Sequence, residues 1–458
     1  MGKKPNIMIF IMDTQRVDNL SCYGYAKKTT PNLERIAEEG TLFLNNITPA
    51  VWTLPSHASL FTGMYQSSHG AGASCDFLPG RPATLAEVLS SESYRTVAFF
   101  GNEWAAITGK GFKEICLVKK VDPENPDKGS LHRARMVIDW LERNYDGKEP
   151  FFMFVQFMEP HLRCWPPEPF RSKFLLEDVT EEEARKVNQD PNLVRAGKVR
   201  MSKRDWAILR SLYDGETATL DHRIGLILDY MRERDILDRT LLIVTADHGD
   251  MRGEHDYMGR FQLMGHHLCV YEELIHVPLI VRYPEIFPPG IKVDALVQTL
   301  DIFPTIVELL GIRDERLEGQ LQGRSLLPTL RGEHVREWAL TEYQKSLLMS
   351  DRVMMVDPDV DFRMFNRWLK SYRTLRYKYI WASDGRDELY DLSEDPGERC
   401  NLVDEMPEKV EEMRRQLESF LLSLEMHDYG DKLHSCKKAE NLKRLKAWGF
   451  YREIERWP

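Results

Sequence analysis

The chain has 458 residues, of which 42% are hydrophobic and 29% charged, a composition typical of a globular enzyme with room for one large and one smaller folding unit. Its formal net charge of −10 argues against general binding to nucleic acid or to anionic membranes. No run of about eighteen apolar residues occurs, so no membrane span is expected. The first apolar stretch, residues 7–12, ends at Asp13 and is too short for a signal sequence, so the expected location is the cytoplasm.

Apolar runs alternate with helical patterns up to residue 310. The predicted strands are residues 7–12, 42–45, 96–99, 151–156, 241–245 and 279–281. The predicted helices are residues 32–39, 56–62, 84–91, 132–143, 205–234 and 302–310. Several strands are continuous apolar runs, which favours an α/β fold with a large, mostly parallel sheet covered by helices on both faces.

The rest of the sequence predicts an insertion in the catalytic domain, a smaller C-terminal subdomain and a C-terminal tail. Residues 162–201 are rich in charge and proline and interrupt the alternation, which indicates an insertion over the site. We expect residues 1–333 to form the catalytic domain that carries this insertion. Residues 334–425 predict a smaller α+β subdomain with strands at 377–381 and 388–391 and a helix at 409–424. Residues 426–458 predict a tail packed on the surface.

Three potential catalytic or metal-binding side chains follow predicted strands. Asp13, His161 and Asp247 lie just beyond apolar runs, and ligands in parallel sheets bind beyond the carboxyl ends of the strands. His248 directly follows Asp247, so a carboxylate and an imidazole can converge on one ion from a loop. Thr53 precedes a Pro-Ser step that suits the start of a helix, where free N–H groups favour anions.

These segments resemble the sulfatase branch of the alkaline phosphatase superfamily. The family pattern Cys/Ser-x-Pro-x-Arg, followed by Thr-Gly, corresponds to Thr53-Leu54-Pro55-Ser56-His57 and Thr62-Gly63. The resemblance extends over most of the chain. It includes Glu159-Pro160-His161, Thr245-Ala246-Asp247-His248-Gly249, Gly253-Glu254-His255, Tyr271-Glu272-Glu273 and Asp395-Pro396-Gly397-Glu398. It implies an alkaline phosphatase-like fold and hydrolysis of a small anionic ester.

The departures from the family pattern bear on the reaction. Sulfatases convert their Cys or Ser to formylglycine, but the β-carbon of Thr53 carries a methyl group and cannot become that aldehyde. His57 replaces the arginine of the maturation motif, and Asn102 and His266 replace two lysines. A threonine sulfate would be cleared slowly, whereas a threonine phosphate can be cleared by water attack at phosphorus. The chemistry therefore favours phosphoryl transfer, and threonine is the nucleophile of the family's phosphodiesterase and phosphonate hydrolase relatives.

The resemblance also implies a metal site. It assigns Asp13, Asp247, His248 and Thr53 to one divalent cation. An imidazole ligand suits manganese better than calcium, so manganese is expected, with zinc, calcium and magnesium as alternatives. The sequence contains no clear second set of ligands, which favours one metal over two.

Six further assignments complete the predicted site. Three histidines are predicted to be catalytic. His161 stands where the family has its active-site histidine, and His266 can protonate a leaving alkoxide. For His255, support of the metal is left open as an alternative. The residues predicted to contact substrate are Thr14, His57 and Asn102, and an N-cap role for Thr14 is left open.

Taken together, the residues predict a metal-dependent hydrolase of phosphodiesters or phosphonate monoesters that acts through a covalent Thr53 intermediate. Three alternatives are left open. They are a sulfuric ester hydrolase with unmodified threonine, a transferase of the phospho group and an inactive sulfatase-like binding protein. Assembly into a homo-oligomer is left open as well.

Overall fold

The computed structural model describes residues 4–72, 78, 82–118, 127–257, 261–344, 352–353, 355–357 and 367–424. An eight-stranded sheet forms its centre, in the order β10-β2-β9-β6-β1-β5-β3-β4. These strands are β1 Asn6–Met12, β2 Thr41–Ile47, β3 Arg95–Phe100, β4 Glu114–Leu117, β5 Phe151–Phe157, β6 Thr240–Thr245, β9 Leu279–Arg282 and β10 Ile291–Gln298. A separate hairpin is formed by β7 Met251–Tyr257 and β8 Phe261–Gly265.

The central sheet is parallel except for β9, which runs antiparallel to both β2 and β6. Its middle strand, β1, explains why continuous apolar runs predict such a sheet. Ile7, Ile9 and Ile11 join the core on one face, and Met8 and Phe10 join the core on the other. Both faces of the strand are thus buried, as in parallel sheets covered by helices. The predicted α/β class is confirmed.

Helices cover both faces of this sheet. In chain order, the helices of the whole structure include α1 Pro31–Glu38, α2 Thr53–Thr62, α3 Gln66–His69, α4 Leu85–Ser91, α5 Glu103–Ala106, α6 Ser130–Asn144, α7 Phe170–Phe174, α8 Glu181–Lys186, α9 Pro191–Arg195, α10 Lys203–Glu233, α11 Glu272–Ile275, α12 Ile302–Leu310 and α13 Pro407–Ser423. The longest, α10, begins with a capping box between Ser202 and Asp205. None of the described helices combines the length and the apolar character that a membrane crossing requires.

A smaller antiparallel sheet follows near the C-terminus. Its strands, in sheet order, are β11 Trp338–Tyr343, β12 Leu369–Thr374, β13 Tyr377–Ala382 and β14 Glu388–Asp391. Together with α13 it shares an apolar cluster with Tyr65 and Leu300 of the preceding chain. The small α+β unit is present as expected. The division into domains stays a prediction, and the predicted tail at 426–458 lies outside the described residues.

The predicted insertion folds into α7, α8 and α9 and has an apolar cluster of its own. Cys164, Val179 and Val194 pack there with Trp206 of α10 and Met264 of β8. The insertion is therefore attached both to the long helix and to the hairpin. The hairpin itself was not predicted, because the β7 sequence Met-Arg-Gly-Glu-His-Asp-Tyr is too polar to register as an apolar run.

Candidate active site

The predicted site residues gather at the carboxyl edge of the central sheet. Asp13 follows β1, Asn102 follows β3, His161 follows β5 and Asp247 follows β6. These four strands are neighbours and run parallel to one another, so their carboxyl ends meet at the same edge. The sheet topology thus brings together side chains that are far apart in the sequence.

Asp13, Asp247 and His248 form a buried cluster of potential metal ligands. One ligand atom from each residue lies within 4.8 Å of the others. The Oδ2 atom of Asp13 accepts hydrogen bonds from Asn102 Nδ2 at 3.1 Å and from Gln156 Nε2 at 3.0 Å. These two amides fix the orientation of the carboxylate and leave its Oδ1 atom available.

The second carboxylate and the imidazole are oriented in the same way. Asp247 Oδ1 accepts from the backbone N–H of Thr14 at 3.3 Å and of His248 at 3.0 Å. His248 Nδ1 donates to the carbonyl of Gly249 at 3.0 Å, which leaves the lone pair of Nε2 free for a metal.

Three atoms of the cluster lack a hydrogen-bond partner in the part of the chain that the structure describes. They are Asp13 Oδ1, Asp247 Oδ2 and His248 Nε2, and all three are buried. Burial, with the charges of Asp247 and Asp250, raises the pKa of Asp13 well above its ordinary value. Two carboxylate oxygens and one imidazole nitrogen without partners fit a divalent cation, which would satisfy all three and offset their desolvation.

Thr53 begins helix α2 beside this cluster. It is the first helical residue, follows the N-cap Trp52 and is only 6% exposed. Its carbonyl accepts from His57 Nδ1 at 2.8 Å, and that nitrogen lies 3.7 Å from Asp247 Oδ2. Ser56 Oγ donates to the Asp247 carbonyl at 2.7 Å. The first turn of α2 is therefore attached to a potential metal ligand.

His57 is predicted to contact substrate, but its side chain is buried below the surface of the site. It is buried, its ring packs against Phe154 with centroids 5.6 Å apart, and burial lowers its pKa. Its hydrogen bond to Thr53 and its approach to Asp247 are the contacts that matter for the site. A contact between His57 and substrate stays a prediction.

His266 lies next to the cluster and belongs to a group of histidines. The ring centroid of His266 lies 4.5 Å from that of His248, 5.1 Å from that of His161 and 4.5 Å from that of His267. Its Nδ1 atom is 3.9 Å from Asp250 Oδ1. Burial, followed by the neighbouring imidazoles, lowers the pKa of His266 well below its ordinary value. The structure therefore brings His161 and His266 together at the site.

Asn102 and Thr14 have structural contacts that their predicted roles do not include. Asn102 Oδ1 accepts from the Ala105 N–H at 2.9 Å and caps α5, while its Nδ2 contacts Asp13. Thr14 has a φ of 64°, and its carbonyl accepts from Tyr213 Oη at 2.9 Å. Its buried Oγ1 has no partner among the described residues. Contacts of Asn102 and Thr14 with substrate stay predictions.

His255 belongs to a different cluster. Its Nε2 lies 3.3 Å from Glu273 Oε2, and its ring stacks on Tyr271 with centroids 3.9 Å apart. Glu398 completes a group whose ligand atoms could hold a metal. However, Lys378 Nζ already neutralises Glu398 Oε1 at 2.7 Å, so the group is better described as an ion-pair cluster. A catalytic role for His255 stays a prediction.

Three residues contact the site without having been predicted from the sequence. Gln156 orients Asp13, Asp250 approaches His266, and Arg195 donates to the carbonyl of His266 at 2.5 Å. Asp250 could have been predicted from its sequence position, because it ends the Asp-His-Gly-Asp segment that begins with Asp247. Gln156 is the only polar residue in the apolar β5 run. Arg195 gave no local signal, because its partner is 71 positions away.

Two family models match the chain. The Sulfatase model matches residues 5–312, and the model of the N-sulphoglucosamine sulphohydrolase C-terminal region matches residues 259–427. Among curated relatives, human arylsulfatase K is 24% identical, with 93% of this chain and 85% of the relative covered. The ulvan-active sulfatase of Formosa agariphila is 26% identical, with coverages of 94% and 83%.

Solved structures support the same fold. The phosphonate monoester hydrolase of Agrobacterium radiobacter superposes with a TM-score of 0.72 at 22% identity, covering 91% of this chain and 95% of that one. A putative sulfatase from Bacteroides thetaiotaomicron gives 0.70 at 23% identity, with coverages of 93% and 96%. The Sulfatase model covers well over half of the chain, and the fold and the buried ligand cluster agree with it. The chain therefore belongs to the sulfatase family and is a hydrolase that acts on ester bonds.

Proposed function

We propose that this chain hydrolyses phosphodiesters or phosphonate monoesters through a covalent intermediate on Thr53. The observation that carries the proposal is the place of Thr53, at the first turn of α2, where His57 and Ser56 attach the helix to Asp247. Its hydroxyl is a suitable nucleophile, but its methyl group prevents oxidation to the aldehyde that sulfatases use. An ester on Thr53 must then be cleared by water, which favours phosphorus over sulfur.

The proposed metal ligands are Asp13, Asp247 and His248, with Thr53 as a fourth. The oriented imidazole in this set favours manganese over zinc, calcium or magnesium. A divalent cation held there lowers the pKa of a neighbouring hydroxyl and neutralises charge on the phosphoryl oxygens.

In the first step, the Thr53 hydroxyl loses its proton to solvent and its oxygen attacks phosphorus, while the bond from phosphorus to the leaving oxygen breaks. The N–H groups of Thr53 and Leu54 at the start of α2 stabilise the negative charge on the phosphoryl oxygens. In the second step, water displaces Thr53 from phosphorus. Water attacks phosphorus, the bond to the Thr53 oxygen breaks, and a proton from the water returns to that oxygen. These two displacements restore the hydroxyl of Thr53.

His266 is the proposed donor of a proton to the leaving oxygen. Its ring lies beside His248 and within reach of His161, and Asp250 lies on its Nδ1 side. Burial disfavours the charged form of His266, and an anionic substrate beside the ring would stabilise the imidazolium. Its lowered pKa makes the imidazolium of His266 a stronger acid than an ordinary histidine, which suits the protonation of a poor leaving group.

A second candidate function is hydrolysis of sulfate esters by unmodified Thr53. It is favoured by the curated relatives, which are named as sulfatases. The similarity to phosphonate monoester hydrolases from Agrobacterium radiobacter and Silicibacter pomeroyi, at 22% and 19% identity, concerns the fold alone. The choice between phosphate and sulfate therefore depends on Thr53 itself.

The test is a panel of four esters with one common aryl leaving group: a phosphate diester, a phosphonate monoester, a phosphate monoester and a sulfate. We expect kcat/KM for the diester or the phosphonate to exceed that for the sulfate by orders of magnitude. Thr53→Ala should lower turnover of the preferred ester by several orders of magnitude while metal content is retained. A sulfate ester as the best substrate would replace the phosphoester assignment by the sulfatase alternative.

A further inference from the structure

The chain around His266 has an unusual backbone. Gly265 has a φ of 77°, and the two residues after His266 also lie in the left-handed region, with a φ of 79° for His267 and 74° for Leu268. For a residue with a side chain this conformation is strained, because the Cβ atom comes too close to the following carbonyl oxygen. Such a segment keeps one conformation only when contacts from the rest of the protein hold it.

One of these contacts comes from the insertion. Arg195, the last residue of α9, is 2% exposed, and its Nη2 atom donates to the carbonyl of His266 at 2.5 Å. The same nitrogen lies 3.0 Å from the position that a Cβ atom on Gly265 would occupy. The guanidinium therefore packs directly against the backbone of the predicted proton donor, at a glycine that leaves space for it.

Attachment of the insertion does not require this arginine. Met201 and Gln262 already join the insertion to β8 through two reciprocal hydrogen bonds of 2.7 and 2.9 Å. Burial lowers the pKa of Arg195, and within the described ranges no carboxylate forms an ion pair with it. Its Nη1 atom is buried and has no hydrogen-bond partner there. Burying a guanidinium in this way is costly, which indicates a role other than docking.

We propose that Arg195 is a positioning residue that holds the carbonyl of His266 and thereby the imidazole that protonates the leaving group. This inference rests on the proposed function of His266. With the carbonyl fixed, the ring keeps its Nδ1 atom 3.9 Å from Asp250 Oδ1 and its centroid 4.5 Å from that of His248. The insertion thus acts on the reaction through one hydrogen bond. Without that bond the imidazole of His266 would be misplaced, and proton transfer to the leaving group would be slower.

A double-mutant cycle with Arg195→Met and His266→Ala tests the proposal, using aryl phosphodiesters with good and poor leaving groups. We expect Arg195→Met to lower kcat for the poor leaving group about tenfold or more, with little change in KM or in kcat for the good one. In the His266→Ala background, Arg195→Met should cause no further loss, because both changes remove the same proton transfer. Arg195→Lys keeps a cationic donor and should recover part of the activity.

Arg185→Met is the matched control, because Arg185 lies on the same insertion and its side chain is 60% exposed. It should leave kcat unchanged for both leaving groups. Thermal unfolding of each variant checks the fold, and Arg195→Lys replaces Arg195→Met in the cycle if the methionine variant does not fold.

Additive losses in the cycle, or a rise in KM that is equal for all leaving groups, would overturn the inference. If His266→Ala itself shows no dependence on the leaving group, the proton-donor assignment fails, and the positioning role fails with it.

Discussion

Each potential metal ligand has one atom fixed by the protein and one left without a partner. Asn102 and Gln156 hold one oxygen of Asp13, backbone N–H groups hold one oxygen of Asp247, and the Gly249 carbonyl fixes the ring of His248. Such oriented ligands reduce the reorganisation needed for metal binding. The site therefore depends on these hydrogen-bond partners as well as on the ligands.

Asp247→Asn should abolish stoichiometric binding of the cation while the central sheet stays folded. The amide is neutral and weakens the ligand set, whereas the apolar cores on the two faces of the sheet do not depend on the ion. Elemental analysis of protein purified without chelator should give about one metal per chain for the wild type and almost none for the variant. Two metals per wild-type chain would contradict the single-site account.

The proton-donor role of His266 predicts a particular pH dependence. Because the pKa of His266 is well below its ordinary value, the protonated form is lost as pH rises through that lowered value. For a poor leaving group, kcat/KM of the wild type should fall along this limb, and His266→Ala should remove both the limb and about 10²–10⁴-fold of the rate. The pH profile of kcat/KM for good and poor leaving groups is the measurement. An unchanged profile in the variant would assign the limb to another group.

At the scale of elements, the site depends on how loops and the β7–β8 hairpin attach to the sheet. The smaller sheet is joined to this region by Lys378 of β13, which is fully buried between Glu272 at 3.2 Å and Glu398 at 2.7 Å. Glu272 begins α11, whose preceding residue Tyr271 stacks on His255 of the hairpin. This ion-pair cluster thus connects the smaller sheet with the chain near the site.

Lys378→Met should destabilise the protein by about 3–5 kcal/mol, because it leaves buried carboxylates without their cation. Lys292→Met, at an exposed position on β10, is the matched control and should change stability little. Denaturant unfolding monitored by tryptophan fluorescence gives the difference. A loss for Lys378→Met no larger than that of the control would contradict this, and would mean that Arg373, 3.3 Å from Glu272, is cation enough for the cluster.

The same elements explain what the sequence could predict. Strands such as β1 and β6 are long apolar runs, so their ends, and with them Asp13 and Asp247, could be placed at one edge of a sheet. The hairpin could not be found in this way, because β7 carries Arg252 and Glu254 where an apolar run would be needed. Arg195 could not be found either, since its role depends on a tertiary contact between the insertion and the hairpin.

For the whole molecule, the carboxyl edge of the central sheet places the proposed metal ligands, and the chain that follows the β7–β8 hairpin places His266 beside them. Membership of the sulfatase family follows from the match over residues 5–312, whereas the proposed choice of ester rests on single positions such as Thr53 and His266. Fold and reaction are therefore determined by different parts of the sequence. Location in the cytoplasm stays a prediction.

The stereochemical course at phosphorus tests the covalent Thr53 intermediate most directly. The substrate is a single enantiomer of an aryl phosphorothioate diester, hydrolysed in water enriched in oxygen-18, and the configuration of the product is determined. Two successive in-line displacements, first by Thr53 and then by water, predict net retention of configuration. Net inversion would mean that water attacks the substrate directly, and it would contradict the role of Thr53 as nucleophile.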